Sequence, residues 1–337
     1  MEFVQIADVH FDTPFKTISD RAGIGEERRL EQRKAFKKAI EFVQENKIEY
    51  LFICGDLYEQ EYIRKSTIEY INNLFLNIPN TKIYMVPGNH DPFIKNSYYN
   101  NFKWASNVKI FSEKLEVIEN ENVDIYGYGF NDFFMEEYSQ EINIKNKEKI
   151  NILLTHGDLY NKSKYNPINI KKIEKFDYLG IGHLHKRDEY YPGSLISMGF
   201  DELGEHGFIY GKIIEKNKII KKFIKADERE FLKKEFNISN IFSKEELIEK
   251  LNEINTENNL MEIILIGKEN FEVDINMKLI QKNIIKIKNE TKIEKNLEYN
   301  KNNLIGLSIK KANEKLQANE IDEKEFEEII QTLKKVM

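Results

Sequence analysis

Residues 82–91 read KIYMVPGNHD, a short apolar run followed by a glycine, an amide, an imidazole and a carboxylate. The run at 82–86 is brief and rich in large apolar side chains, which predicts a buried strand. Gly88-Asn89-His90-Asp91 then lies where that strand ends. In an open α/β sheet, ligand sites form outside the carboxyl ends of the strands, so this stretch predicts both a fold class and a site.

Four further apolar runs end in the same way. A lone Gly-Asp, Asp-x-His or His-Gly is typical of an ordinary turn, whereas five such endings in one chain favour a common site. Glycines at these ends allow the sharp backbone turns that bring side chains together. The other predicted strands and the residues that follow them are 3–7 with Asp8 and His10, 50–54 with Gly55-Asp56, 150–155 with His156-Gly157, and 178–181 with Gly182, His183 and His185.

Seven side chains at these endings offer oxygen or nitrogen donors. Such donors suit two divalent ions such as manganese, zinc or iron. A carboxylate can bridge two cations, because each of its oxygens can bind one. Cys54 is the single cysteine of the sequence, which excludes a disulfide framework and a cysteine-rich zinc site. The candidate ligands are Asp8, His10, Asp56, Asn89, His156, His183 and His185.

The composition limits the class of protein. The 337 residues include 51 basic and 57 acidic side chains, for a net charge of −6, and 41% are hydrophobic. These values exclude a disordered chain and a globally basic protein that coats nucleic acid, but they allow a local basic groove. The amino terminus is too short and too polar for a signal peptide, and no apolar run is long enough to span a membrane. We therefore expect a soluble, cytoplasmic protein with no membrane partner.

The order of elements predicts an α/β fold in about two domains. Helical spacing at 28–46 and 64–76 separates the first three strands. The polar residues 225–230 then mark a domain boundary. Before it we expect antiparallel strands at 189–191, 207–214 and 219–223. Beyond it we expect strands at 231–236, 260–266 and 284–287, helices at 244–254 and 276–282, a polar linker at 289–303 and two helical patterns from residue 304.

The ordered set Asp-x-His, Gly-Asp, Gly-Asn-His-Asp, His-Gly and Gly-His-x-His resembles the pattern of the calcineurin-like metallophosphoesterases. The sequence between these motifs is most similar to the SbcD-type DNA repair exonucleases, the nuclease subunits that work with an SbcC-type coiled-coil ATPase. The similar segments are RRLE at 28–31 with KAF at 34–36, LFICGDLY at 51–58 and YPGS at 191–194. This resemblance covers residues 1–225 well and the rest of the chain only loosely.

The resemblance implies an α/β architecture in three parts. A metallophosphoesterase β-sandwich flanked by helices would span residues 1–225. A small α+β capping domain would span 226–290, and a linker with a helical tail would span 291–337. The tail would dock on an SbcC-like coiled-coil ATPase, with packing against its own chain as the alternative. The side chains expected to anchor that docking are Phe326, Ile329, Ile330 and Leu333.

The resemblance also implies an activity and a role for each site residue. The activity would be manganese-dependent exonucleolytic hydrolysis of DNA with two metal ions, iron, zinc or magnesium being alternative metals. Helices that follow Asp56 and Asp91 would form a homodimer. His90 would lie over the scissile phosphate, to stabilise charge or protonate the leaving oxygen, and Asp91 would orient the loop. One ion would be held by Asp8, His10, Asp56 and His185, and the other by Asp56, Asn89, His156 and His183.

Other function classes stay open from the sequence alone. Phosphodiesterases and phosphatases that act on small molecules or proteins share these metal motifs. A non-catalytic scaffold is disfavoured because every type of ligand is present. Basic residues near the motifs favour DNA, although those at 28–38 could equally form a solvated helix face. His206 is expected to be a solvated turn residue, and Glu59 departs from the aspartate that the family often has after the aromatic residue. The candidate DNA contacts are Arg28, Arg29, Lys162, Lys164, Lys186 and Arg187.

Overall fold

The chain divides into two compact units, Met1–Glu230 and Phe231–Met337. The computed structural model describes residues 1–15, 18, 21, 23–138, 141–160, 164–216, 218–293 and 304–334. Strands and helices are mixed in both units, which confirms the predicted α/β class. No helix in these ranges is long and apolar enough to cross a lipid bilayer.

Two sheets form the framework of the first unit. Their strand orders are β10-β9-β1-β2-β3-β4 and β5-β6-β7-β8. Neighbouring strands from β1 to β4 and from β6 to β8 run parallel, whereas β9 pairs antiparallel with β1. The strands are β1 (Glu2–Ile6), β2 (Tyr50–Cys54), β3 (Lys82–Val86), β4 (Val108–Ile110), β5 (Glu116–Glu119), β6 (Val123–Gly127), β7 (Ile150–His156), β8 (Tyr178–Gly182), β9 (Gly207–Glu215) and β10 (Lys218–Lys225). The helices are α1 (Ile24–Glu45), α2 (Lys65–Leu76), α3 (Tyr98–Asn101) and α4 (Ile170–Ile173).

Apolar side chains from both sheets share one buried core. Phe3 and Phe52 of the first sheet belong to the same cluster as Ile152 and Leu154 of the second. Strands that are buried on both faces appear in a sequence as continuous apolar runs. This is why the bounds of β2 and β3 agree with the predicted ranges.

The parallel register brings the carboxyl ends of the strands together. Ile6 at the end of β1 lies opposite Ile53 of β2, and Cys54 lies opposite Val86 of β3. In the second sheet, His156 of β7 lies opposite Gly182 of β8. The loops that follow these strands therefore start side by side, as the sequence predicts.

Two predicted elements are wrong. Residues 189–191 form a turn, because the carboxylate of Asp188 accepts the amide protons of Tyr190 and Tyr191 at 2.7 and 2.9 Å. Those amides are then not available for a strand ladder. At 276–282 there is a 3₁₀ turn over Met277–Leu279 and no α-helix. Strands β4, β5 and β6, which are three to five residues long, are not predicted from the sequence.

The second unit contains a three-stranded parallel sheet of order β11-β12-β14. Leu247 and Leu251 of α5 pack with Ile263 and Leu265 of β12 in its core. The strands are β11 (Phe231–Asn237), β12 (Leu260–Ile266), β13 (Lys268–Glu269), β14 (Ile284–Asn289) and β15 (Lys292–Ile293). The helices are α5 (Lys244–Asn252), α6 (Leu304–Gln317) and α7 (Glu323–Lys334). Most of the predicted linker, residues 294–303, lies outside the described residues.

The helices α6 and α7 pack against each other. Ile309 and Ala312 of α6 and Phe326 and Ile330 of α7 are the buried residues of this contact. Ile329 and Leu333 are partly buried against the same cluster. α6 therefore covers much of the stripe that is expected to anchor a partner, and docking of the tail on a partner stays a prediction. The alternative, in which the stripe packs on its own chain, describes the structure.

Candidate metal centre

One carboxylate, that of Asp56, lies at the middle of the predicted site. Its Oδ2 atom lies 3.6 Å from His10 Nε2 and 3.3 Å from His156 Nε2. Asn89, from the loop after β3, places its Oδ1 atom 3.1 Å from the same His156 nitrogen. Donors at the carboxyl ends of β1, β2, β3 and β7 thus meet at one point.

The loop after β8 completes the cluster. The backbone N–H of His183 donates to the Asp8 carboxylate at 3.0 Å, and the ring of His183 lies 5.3 Å from the His156 ring between centroids. His185 places its Nε2 atom 3.0 Å from His10 Nε2. Asp8, His10, Asp56, His156 and His185 thus belong to overlapping donor groups, and Asn89 lies beside His156. His183 adjoins them through its backbone N–H and its ring contact with His156.

Unusual backbone conformations hold the loops in this arrangement. Asp8, His10 and Asp56 have φ angles of 52°, 53° and 53°, in the left-handed region that side chains rarely adopt. Such strain is common at functional sites, where the surrounding structure maintains it. A Cβ atom at Gly88 would lie only 2.2 Å from Asp56 Oδ1, so this position requires glycine.

The donor set fits divalent cations. Asp8 and Asp56 are both buried, and buried carboxylates need compensating positive charge. Carboxylate and imidazole donors at this spacing are ligands that manganese, iron and zinc accept. In the described part of the chain, three overlapping groups have ligand atoms within 4.8 Å of one another: Asp8, His10 and His185; His10, Asp56 and His90; and Asp8, Asp56 and His156.

Burial and neighbouring charges shift the pKa values of the side chains in this cluster. Burial favours the neutral form of Asp56, but the neighbouring His156 and His10 outweigh it and hold the pKa of this carboxyl well below its usual range. Burial likewise disfavours the charged ring of His156, yet Asp56 raises the pKa of that ring to about 9. Burial and the charge of His156 lower the pKa of His183 to about 4.

Asp91 links the loops after β2 and β3. Its buried carboxylate accepts the backbone N–H groups of Gly88, Asp56 and Leu57 at 2.7, 3.0 and 2.6 Å. It also accepts the hydroxyl of Tyr99 at 2.6 Å. Burial and the nearby Asp56 charge raise the pKa of Asp91 to about 7. Asp91 is fully buried, and its carboxylate joins these two loops.

Glu59 connects two histidines of the site, a contact that the sequence alone does not predict. One carboxylate oxygen lies 2.8 Å from His10 Nδ1, and the other lies 2.9 Å from His90 Nδ1. Burial would raise the pKa of Glu59, but hydrogen bonds from both rings lower it to about 2. A carboxylate on Nδ1 fixes the orientation of a histidine ligand and makes its other nitrogen more basic.

Glu202 has the same relationship to His185. Its Oε1 atom lies 2.6 Å from His185 Nδ1, and its Oε2 atom accepts the backbone N–H of Met198 at 2.9 Å. The buried His206 places Nε2 2.9 Å from the Glu202 carbonyl oxygen and Nδ1 2.9 Å from Ser194 Oγ. The expectation that His206 is a solvated turn residue is wrong, because it supports the segment that carries Glu202.

His90 is the exposed histidine of the cluster. Its backbone N–H donates to Asp56 Oδ1 at 2.8 Å, and its ring lies edge-on to the His10 ring at 4.7 Å. Burial of part of the ring lowers its pKa, but Glu59 and Asp56 outweigh this effect and raise the pKa to about 9. At neutral pH the ring therefore carries a proton that faces solvent.

The predicted DNA contacts fall into different environments. Arg28 is fully buried, and its guanidinium donates to Asp227 at 2.9 Å and to the Ser197 carbonyl oxygen at 2.8 Å. Its assignment as a DNA contact is corrected, because this side chain holds α1 to the segment after β10. Arg29 is half-buried, whereas Lys164, Lys186 and Arg187 are exposed, and Lys162 lies outside the described residues.

The metal centre opens into a cleft of about 520 Å³. His90 and Asn89 line it on the side of the metal centre. Its walls include the aromatic residues Phe134 and Tyr165. A cleft of this volume is in the range that accommodates small molecules and cofactors, and so is larger than a phosphate group alone requires.

Comparison with known proteins gives a family for the chain. No curated protein matches the sequence. Similar solved structures include TT1561 of Thermus thermophilus, at 10% identity over 66% of this chain and 98% of that chain, with a TM-score of 0.37. They also include Yfce, a phosphoesterase from E. coli, at 12% identity over 63% of this chain and 87% of that chain, with a TM-score of 0.28. The sequence profile of the calcineurin-like phosphoesterases matches residues 1–187, more than half of the chain. The protein therefore belongs to the calcineurin-like phosphoesterase family and is a metal-dependent phosphoester hydrolase.

Proposed function

We propose that this protein is a manganese-dependent DNA exonuclease of the SbcD type. The observation that carries the proposal is the position of the metal centre, which opens into a cleft wide enough for a nucleotide. The sequence between the metal motifs supports the same assignment, because LFICGDLY at 51–58 and YPGS at 191–194 resemble that family. Both segments lie beside the site in the sequence. The first contains Asp56, and the second follows His185.

The seven ligands fit two ions that share Asp56. When bound, two divalent ions would activate water, polarise the phosphoryl group and neutralise its charge. The chain supplies the ligands in two sets, whose orientation Asp91, Glu59 and Glu202 fix. We assign Asp8, His10, Asp56 and His185 to one ion, and Asp56, Asn89, His156 and His183 to the other.

His90 acts on the substrate and not as a ligand in this proposal. Its protonated ring faces the cleft and is held by Glu59. A charged imidazole at this place stabilises negative charge that develops on the phosphate oxygens. It can also give its proton to the leaving oxygen as a general acid.

A small-molecule phosphodiesterase or phosphatase is the second candidate. The described residues that line the cleft include the carboxylates of Glu59, Glu61, Asp201 and Glu202 but no lysine or arginine. This charge favours a small substrate over a long polyanion. The two candidates therefore differ in the substrate that the cleft accepts: a DNA strand for the nuclease, and a small phosphoester for the second candidate.

A parallel cleavage assay distinguishes the candidates. End-labelled single-stranded DNA, the matching duplex and bis(p-nitrophenyl) phosphate are each incubated with the manganese-loaded protein and with the Asp56→Asn variant. The nuclease proposal predicts products released one nucleotide at a time from an end, and their loss in the variant. Turnover of the small diester with both DNA substrates intact would show that the second candidate is right.

The partner proposal concerns the helix pair at the carboxyl terminus. We propose that α6 and α7 dock on an SbcC-like coiled-coil ATPase as a preformed unit. Leu304 and Leu307 of α6 are exposed, and they could contribute to such a contact without opening the buried cluster. A Leu307→Asp variant should lose ATPase pull-down and keep its phosphodiesterase rate. Retention of the pull-down would exclude this surface.

A further inference from the structure

Three aromatic rings lead from the metal centre to the surface of the cleft. The ring centroid of His183 lies 5.4 Å from that of Tyr165. Tyr165 in turn stacks on Phe134, with centroids 5.5 Å apart and 27° between the ring planes. Such offset stacking is an attractive arrangement for aromatic rings. A continuous aromatic surface thus starts at a candidate metal ligand and ends at an exposed phenylalanine.

The exposure of these rings is unusual. Phe134 is 57% exposed, and Phe133 and Tyr62, which line the same cleft, are 37% and 41% exposed. Tyr160 is the other strongly exposed aromatic residue in the described part of the first unit. Exposed apolar side chains concentrated around a catalytic cleft are typical of a ligand-binding surface.

The backbone holds Phe134 and Tyr165 in place. Met135 donates its N–H to the Lys164 carbonyl oxygen at 2.8 Å, and Asn166 donates to the Met135 carbonyl oxygen at 2.6 Å. The side chain of Asn166 also donates to the carbonyl oxygen of His156 at 2.7 Å. Because His156 belongs to the metal centre, these hydrogen bonds connect Phe134 and Tyr165 to the candidate metal ligands.

The chemistry of the described cleft walls points to a neutral planar ligand. Carboxylates such as Glu61 and Asp201 repel phosphate groups, whereas they do not prevent stacking of an uncharged ring. Every nucleobase has a π-face that can stack on an aromatic side chain. Inside a duplex these faces are covered by the neighbouring base pairs, and at a blunt end pairing holds the terminal base in the helix.

We propose that Phe134 and Tyr165 bind an unpaired nucleobase next to the cleaved phosphodiester. This inference rests on the proposed nuclease function and specifies its substrate. The enzyme would act on single-stranded or frayed DNA ends, because only there is the base beside the cleaved phosphodiester unpaired and free to turn onto the aromatic pair. Binding would come from base stacking together with the metal ions, and not from phosphate–lysine contacts along the described cleft walls.

Abasic DNA tests the proposal. The substrates are a single-stranded oligonucleotide and four analogues with a tetrahydrofuran abasic residue at the first or second nucleotide from either end. A further substrate is the same end in a blunt GC-rich duplex. Each is cleaved by the wild type, by Phe134→Ala and Phe134→Leu, and by the control Tyr160→Ala, which removes an exposed aromatic ring outside the cleft. The measured quantity is the ratio of kcat/KM for the normal strand to that for each abasic analogue.

The wild type should prefer the normal strand roughly 10- to 100-fold over at least one analogue. Phe134→Ala should reduce this ratio to about one, Phe134→Leu should reduce it less, and Tyr160→Ala should keep it. A wild-type ratio near one, an unchanged ratio in Phe134→Ala, or faster cleavage of the blunt duplex would overturn the inference and leave the nuclease function intact. If the wild type cleaves no oligonucleotide but hydrolyses bis(p-nitrophenyl) phosphate, the nuclease function itself is wrong, and the inference is wrong with it.

Discussion

The Nε2 atoms of His10 and His185 lie 3.0 Å apart. Each ring presents its Nδ1 atom to a glutamate, at 2.8 Å for Glu59 and 2.6 Å for Glu202. A carboxylate at Nδ1 keeps the proton of a neutral imidazole on that nitrogen, so Nε2 is left with a lone pair. Two lone pairs that face each other at this distance require a cation or a proton beside them. Burial disfavours the charged ring of His185, but Glu202 outweighs it and raises the pKa of His185 to about 9, so without metal a proton of His185 lies between the two nitrogens. A bound metal ion would replace that proton.

Removal of the carboxylate behind His185 should weaken metal binding. Glu202→Gln keeps the size of the side chain but supplies a weaker acceptor to Nδ1. We expect manganese affinity to fall roughly 10- to 100-fold, as is usual for such supporting residues. Titration calorimetry on the chelated protein measures this change. Glu205→Gln, an exposed neighbour, is the matched control. Equal affinities for the wild type and Glu202→Gln would exclude this role.

The two ions should depend differently on their ligands. Asp56→Asn removes the proposed shared carboxylate, so we expect the purified variant to lose both manganese ions. His185→Asn removes a ligand that we assign to one ion, so about one ion per chain should remain. Elemental analysis after dialysis gives these numbers. Retention of two ions in Asp56→Asn would contradict the bridging assignment.

His90→Ala should separate catalysis from metal binding. The proton that His90 carries faces the cleft, and its loss should lower kcat by roughly 10²- to 10⁴-fold. Metal content should stay at the wild-type value. His90 lies in one group of possible metal ligands with His10 and Asp56, so the metal content distinguishes a catalytic His90 from a ligand. A variant that lost an ion together with its activity would identify His90 as a ligand.

Metal binding should release protons near neutral pH. Burial disfavours the charged forms of His156 and His185, but Asp56 and Glu202 respectively outweigh it and raise both pKa values to about 9. Each ring must lose its proton to bind metal, so we expect about two protons released per chain at pH 7 and fewer toward pH 9. Calorimetry in buffers of different ionisation enthalpy counts them. Release that does not change with pH would contradict these protonation states.

The same shifts predict the pH dependence of stability without metal. A histidine whose folded pKa is raised above the unfolded value of about 6.5 stabilises the fold fully below that value. The stabilisation is lost as pH rises toward 9. The Tm of the chelated protein should therefore fall between pH 7 and 9, whereas that of the manganese-loaded protein should not. A parallel fall in both samples would point to groups outside the site.

The tail offers a test of the helix pair. Phe326 is buried in the contact between α6 and α7, so Phe326→Ala should cost this contact roughly 3–5 kcal/mol. Hydrogen exchange of the amides of both helices should become faster, while the phosphodiesterase rate stays at the wild-type value. Leu307→Ala, at an exposed position of α6, is the control. Unchanged exchange in Phe326→Ala would show that the cluster contributes little to the pairing.

The sequence predicts the strand ends well but not the residues that support them. Short apolar runs buried on both faces give a strong signal, which is why Asp56 and His156 could be placed. Glu59 and Glu202 have no such signal, because a polar loop residue shows its partner only in three dimensions. Arg28 was misassigned for a related reason, since its partner Asp227 lies 199 residues away in the sequence. Long-range pairing of polar groups is the part of this site that a single sequence cannot show.

Manganese titration of the chelated protein shows whether cleavage depends on two bound ions. Bound metal and cleavage of single-stranded DNA are measured in the same samples, for the wild type and for Asp56→Asn. The two-ion assignment predicts no cleavage without metal, full cleavage only when about two ions are bound per chain, and no recovery in the variant. Full cleavage in the metal-free wild type, or full recovery with a single ion, would contradict it.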